Sequence, residues 1–130
     1  DPEINYDDFE ITTSFTDSVT ILEAGKATRL LVDVRLKKDA DYLMINIPVP
    51  AGCSYGNKKV NSRIESHREY FKNETSIFIE SLKAGSYRFE VELLPRFSGT
   101  YHINPAKVEM MYFPIINGHN AIKTVRIENK

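Results

Sequence analysis

The chain has 130 residues, 42% hydrophobic and 27% charged, the composition of an ordinary folded domain and not of a disordered segment. Seventeen Lys and Arg against eighteen Asp and Glu give a formal charge of -1, with the signs interspersed, so no basic tract follows a phosphate backbone and nucleic acid is excluded as a partner. The strongly apolar stretch from Leu43 to Val49 is broken by Asn46 and Pro48 and falls far short of the ~20 residues of a membrane helix, so direct membrane insertion by this domain is not expected.

A chain of this length buries roughly two-thirds of its unfolded surface, enough for one core, and residues 1–130 are read as a single domain. It begins Asp1-Pro2-Glu3, with neither an initiator Met nor a charged and apolar leader, as expected for a piece cut from a much longer protein.

Weak alternation opens the chain, with Phe9, Ile11, Thr13 and Phe15 in one phase of a strand. After a turn at Ala24-Gly25-Lys26, Leu30, Val32, Val34 and Leu36 alternate with Arg29, Leu31, Asp33, Arg35 and Lys37. A second turn, Lys38 to Asp41, leads to Leu43, Ile45, Ile47 and Val49 alternating with Met44, Asn46 and Pro48. A period of two places each apolar set on one face of a strand, whereas a helix would scatter it.

Pro50-Ala51-Gly52 closes that strand, and a polar insertion, Ser54 to Glu69, reads as an exposed or functional loop. Ile77 and Ile79 mark a further strand, and Lys83-Ala84-Gly85 turns into the clearest one. There Tyr87, Phe89, Val91 and Leu93 alternate with Ser86, Arg88, Glu90 and Glu92. Weaker strands are expected over Phe97 to Ile103 and at Val125 and Ile127. No segment has an apolar stripe at helical spacing with caps. About eight short strands separated by turns predict an all-β, antiparallel β-sandwich with little helix, a closed barrel being the alternative.

Chemistry is sparse. His67, His102 and His119 lie far apart with no chelating spacing, and a lone Cys53 makes neither an internal disulfide nor a thiolate zinc site. Cys53 with His67 as nucleophile and base, and Asp39 with Asp41 as a calcium loop, are weaker readings than a buried thiol and a solvated turn. There is no phosphate loop, nucleophile elbow or His-Glu-x-x-His. An enzyme is not expected, nor is a cofactor or a metal.

Residues 104–114, Asn104-Pro105-Ala106-Lys107-Val108-Glu109-Met110-Met111-Tyr112-Phe113-Pro114, carry too much apolar surface for one strand face. Val108, Met110 and Tyr112 share one phase; Met111 and Phe113 share the other with Lys107 and Glu109 and should project from the charged face. A partner surface, or a strand buried on both faces near its end, would account for them. Pro105 and Pro114 bracket the segment and favour an edge or a presented loop.

The pattern Pro-Ala-x-x-Glu-x-Met-Tyr-x-Pro, after Gly99-Thr100-Tyr101, resembles the C-terminal macroglobulin-type domain of bacterial alpha-2-macroglobulin family proteins. Pro48-Val49-Pro50-Ala51-Gly52, Arg68-Glu69-Tyr70-Phe71 and Leu82-Lys83-Ala84-Gly85-Ser86-Tyr87 extend the resemblance in the same order. It implies a sandwich related to the receptor-binding domain of eukaryotic protease traps, and a non-catalytic docking role. The module would pack on and shield a thioester domain, through Met111 and Tyr112 with Met110, Phe113 and Pro114 beside them. The implied partners are the thioester and neighbouring macroglobulin domains of the same chain, with target proteases met through the full-length protein. The implied location is the periplasm or cell envelope, with a lipid-anchored parent. A different class of reading is a carbohydrate- or peptide-binding sandwich using the 54–69 loop, Asn57, Asn61 and the tyrosines Tyr42, Tyr55 and Tyr70.

Overall fold

The structure, a computed structural model, describes residues 8–16, 19–58, 63–111 and 124–129. Their strands are β1 (Phe9–Phe15), β2 (Ile21–Glu23), β3 (Thr28–Leu36), β4 (Ala40–Pro48), β5 (Cys53–Tyr55), β6 (His67–Tyr70), β7 (Glu74–Leu82), β8 (Gly85–Pro95), β9 (Gly99–His102), β10 (Lys107–Met110) and β11 (Thr124–Glu128). No α-helix occurs among the described residues.

Two four-stranded antiparallel sheets, ordered β1-β3-β8-β5 and β10-β4-β7-β6, form the layers of a sandwich. The alternation in the sequence becomes burial directly. Leu30, Val32, Val34 and Leu36 of β3 point inward with Phe89, Val91 and Leu93 of β8, and they meet Leu43, Ile45 and Ile47 of β4 and Ile77 and Ile79 of β7 in one core cluster. Each such side chain contributes about 1.5–3 kcal/mol through burial, which is why the register cannot slip by one residue without turning the core outward.

A third sheet, β2-β11-β9, buries Leu22, Val125 and Ile127. Its β2–β11 pair is parallel, a departure from the wholly antiparallel expectation. Gly25 takes φ +87° in the turn after β2, a conformation costly for any side chain, and its amide donates to the Pro95 carbonyl at the end of β8 (2.8 Å).

The polar insertion is not one open loop. Its ends are strands: β5 is the edge of the first sheet and β6 the edge of the second. The opposite edges are β1 and β10.

One irregularity shapes β4. Ala40 is buried, Asp41 and Tyr42 are both exposed, and Leu43 is buried again, while the partner β7 changes phase at the same level through Glu80 and Ser81. Tyr42 has φ +56°, the one non-glycine residue with positive φ among those described. For a bulky side chain this backbone costs on the order of 1–2 kcal/mol.

Candidate functional site

Among the described residues β10 is an edge strand, as its bracketing prolines suggest, and pairs with β4 alone. In that register Val108 faces Ile45 and Met110 faces Leu43. Val108 is fully buried and Met110 is 9% exposed, so Met110 closes the end of the core. Met111 turns the other way and is 48% exposed. The burial of the two side chains thus assigns the outward position to the second methionine.

The Met111 amide donates to the Tyr42 carbonyl at 3.0 Å, extending the β10–β4 ladder by one step. Tyr42 is itself 46% exposed. Two apolar side chains therefore stand at one end of the second sheet, one of them held there by the positive φ. The sequence groups Tyr42 with the loop tyrosines; the structure separates it from them and places it beside Met111. Tyr112, Phe113 and Pro114 lie outside the described residues.

Tyr55 and Tyr70 pack on each other. Their rings meet edge to face, with centroids 4.9 Å apart. The Tyr55 hydroxyl faces the carbonyls of Phe71 and of Glu74 (2.7 Å) and accepts from Thr75 (3.2 Å). Burial, the largest influence, raises the pKa of this phenol above its ordinary value and so makes it a weaker acid.

Arg68 stands against the Tyr70 ring, its Cζ 5.8 Å from the centroid. Its Nε and Nη2 donate to the two Glu65 carboxylate oxygens at 2.8 and 2.6 Å, and its Nη1 donates to the Glu90 carbonyl of β8 at 2.7 Å. Burial works against the Arg68 charge, but the bonds to Glu65 and Tyr70 outweigh it and leave the guanidinium more basic than usual. Lys58 Nζ lies 5.6 and 5.3 Å from the Tyr55 and Tyr70 ring centroids. These groups tie the β5 and β6 edges together across the sandwich. The Asn57 backbone N–H donates to the Glu92 carboxylate (2.5 Å), and Asn61 lies outside the described residues.

The remaining polar candidates are engaged elsewhere. His67 pairs with Glu69 (3.1 Å), and burial pushes the Cys53 thiol up to about 11, which suppresses the thiolate a nucleophile needs. Asp39 accepts the Ala84 amide (2.8 Å) at its turn. No group of three or more His, Cys, Asp or Glu among the described residues is placed to hold a metal ion. His119 lies outside them.

A cavity of about 380 Å³ lies beside β2 and is lined by Val19, Ile21, Arg29 and Glu92 among others; it collects no convergent set of catalytic groups.

Comparison with known proteins bears on this surface. Residues 6–114, a span that takes in Met111, match the bacterial alpha-2-macroglobulin MG10 domain. No curated protein matches the chain by sequence. Among solved structures, a mutant of Salmonella alpha-2-macroglobulin superposes with a TM-score of 0.82 at 14% identity, over 97% of this chain and 10% of that one. Escherichia coli alpha-2-macroglobulin activated by porcine elastase gives 0.79 at 14% identity, over 93% of this chain and 13% of that one. The native conformation of the Escherichia coli protein gives 0.74 at 15% identity, over 92% and 9%. At such identities the likeness establishes the fold, and the chain spans about a tenth of the length of these relatives.

Proposed function

This chain belongs to the bacterial alpha-2-macroglobulin MG10 domain family, and from that premise we propose that it is a non-catalytic docking module of a bacterial macroglobulin-type protease trap. It packs on the thioester domain of its parent chain through Met111 and Tyr112, and it acts on target proteases only as part of the full-length protein. The parent resides in the periplasm or cell envelope, held by a lipid anchor.

The observation that carries this reading is the exposed Met111 at the end of an edge strand whose preceding methionine is buried. A side chain presented in that way has no role in this domain's own core. A thioester is an activated acyl group, and its lifetime depends on excluding hydroxide and amines until the trap is sprung. A flexible thioether and a flat phenol ring can fill an irregular gap over such a group. Because the cover must also lift, a modest contact at a sheet end suits it better than a continuous core.

The test uses the full-length protein. Met111→Ala with Tyr112→Ala should accelerate methylamine uptake by the thioester about tenfold, equivalent to about 1.4 kcal/mol of lost cover. Unchanged uptake in a thioester-bearing parent removes the shielding role, and an open reading frame encoding this domain alone removes the trap.

A further inference from the structure

The two sandwich layers present very different outer faces. On the first sheet the outward positions are charged and paired across strands. Asp33 stands opposite Arg88 with an ion pair at 2.8 Å, and Arg35 stands opposite Glu10 at 3.7 Å. Arg29 lies within 4.0 Å of both Glu90 and Glu92. The apolar side chains there, Leu31 and Leu94, are set opposite serines, Ser14 and Ser54. This is a face built for water.

The second sheet is built differently. On β4 the inward positions are Leu43, Ile45 and Ile47, so Met44 points outward; on β7 the inward positions are Ile77 and Ile79, so Phe78 points outward too. The register sets Met44 and Phe78 directly opposite each other. Glu109 of β10 flanks Met44 on one side and His67 of β6 flanks Phe78 on the other. One row further on, Ser76 donates to the Asn46 side-chain carbonyl at 2.8 Å. An apolar centre within a polar rim is the anatomy of a docking surface. The strip continues along β4 to Tyr42, and so to Met111.

We propose that the docking contact extends from Met111 across the outer face of the second sheet, with Met44 and Phe78 at its centre, and that its occupant is an apolar patch on a neighbouring domain of the same chain. The inference rests on the docking reading above and enlarges it from a point to a face. Two facts argue for this occupant. The face is continuous with the Met111 end, and the relatives that share this fold carry about nine-tenths of their length outside the matching part. The charged outer face of the first sheet remains toward solvent.

Hydroxyl-radical footprinting of the full-length parent, compared with the 130-residue chain, tests this by reading Met, Phe and Tyr side chains at once. Met44, Phe78 and Met111 should all be modified at least about tenfold more slowly in the parent, a protection equivalent to about 1.4 kcal/mol. Leu31, on the outer face of the first sheet and also labelled by the radical, should be modified equally in both. Protection of Met111 without Met44 and Phe78 overturns the enlarged face and leaves the Met111 contact standing. Protection of Met44 and Phe78 without Met111 supports the face and removes the Met111 contact. Protection that grows with the concentration of the 130-residue chain assigns the face to a second copy and overturns the proposal.

Discussion

The Met111 amide and the Tyr42 carbonyl, 3.0 Å apart, join two residues distant in sequence and make them neighbours at the end of one sheet. Met110, one position earlier, contributes instead to the core. The two methionines therefore predict opposite outcomes in the 130-residue chain. Met110→Ala should lower unfolding free energy by about 2 kcal/mol, the low end for a buried methionine at a strand edge. Met111→Ser should stay within about 0.5 kcal/mol of the parent sequence, as exposed positions do. Urea unfolding midpoints at a common slope measure both. A large loss at Met111 would make it a core residue and end its docking role.

The edge opposite β10 depends on a charge pair. The Arg68 and Glu65 side chains are only 7% and 5% exposed, and each satisfies the other through two hydrogen bonds. Arg68→Met leaves the Glu65 carboxylate buried without its counterion, and should destabilise the chain by about 3 kcal/mol. Replacing both residues, Arg68→Met with Glu65→Leu, should recover part of that loss, since no charge is then stranded. Thermal unfolding of the single and double variants decides it; a double variant no better than Arg68→Met alone would show that the bonds to Tyr70 and the Glu90 carbonyl matter more.

How legible these features are in the sequence follows from their length and partners. β3, β4 and β8 carry four or so alternations of large aliphatic or aromatic residues, and that pattern admits one burial assignment. β2, β5 and β6 have three or four residues each, too few for a period, and one of the two inward positions of β6 is an arginine whose burial makes sense only once Glu65 is beside it. β2 also pairs in parallel with β11, a hundred residues away, which no local pattern announces. At the candidate site, the outward direction of Met111 is readable from its phase against Val108. The presence of Tyr42 there is not, because it depends on a positive φ that breaks the phase of β4. The Met44–Phe78 pair likewise needs the β4–β7 register.

The lone thiol gives a pH signature. Burial raises Cys53 from 9.0 to about 11, so the native chain holds this proton more tightly than the unfolded chain. Its contribution to stability is complete below pH 9 and is lost as pH rises from 9 toward 11. At pH 8 the native thiolate population should be about a hundredfold below that of an unperturbed cysteine, and alkylation by iodoacetamide correspondingly slow. The rate should recover in denaturant. Fast modification of the native chain at pH 8 would contradict the burial of Cys53.

Gly52 and Tyr101 connect the sandwich to the third sheet. Gly52 lies in the turn before β5, its carbonyl accepts the amides of Arg96 (2.9 Å) and Phe97 (3.2 Å), and the Tyr101 ring occupies the space a Cβ would need. The ring cannot swing aside freely, because its hydroxyl donates to the Phe97 carbonyl at 2.8 Å. Gly52→Ala should therefore cost about 1–3 kcal/mol, the range for an inserted methyl in a packed site. Tyr101→Leu removes the ring end that the methyl meets, at its own cost in packing and in the hydrogen bond. If the collision is the cause, Gly52→Ala should cost much less in the Tyr101→Leu background, giving a coupling of at least about 0.5 kcal/mol in a double-mutant cycle. Additive losses would instead place the penalty in the turn backbone, and the tyrosine would then merely cover the glycine without fixing its identity.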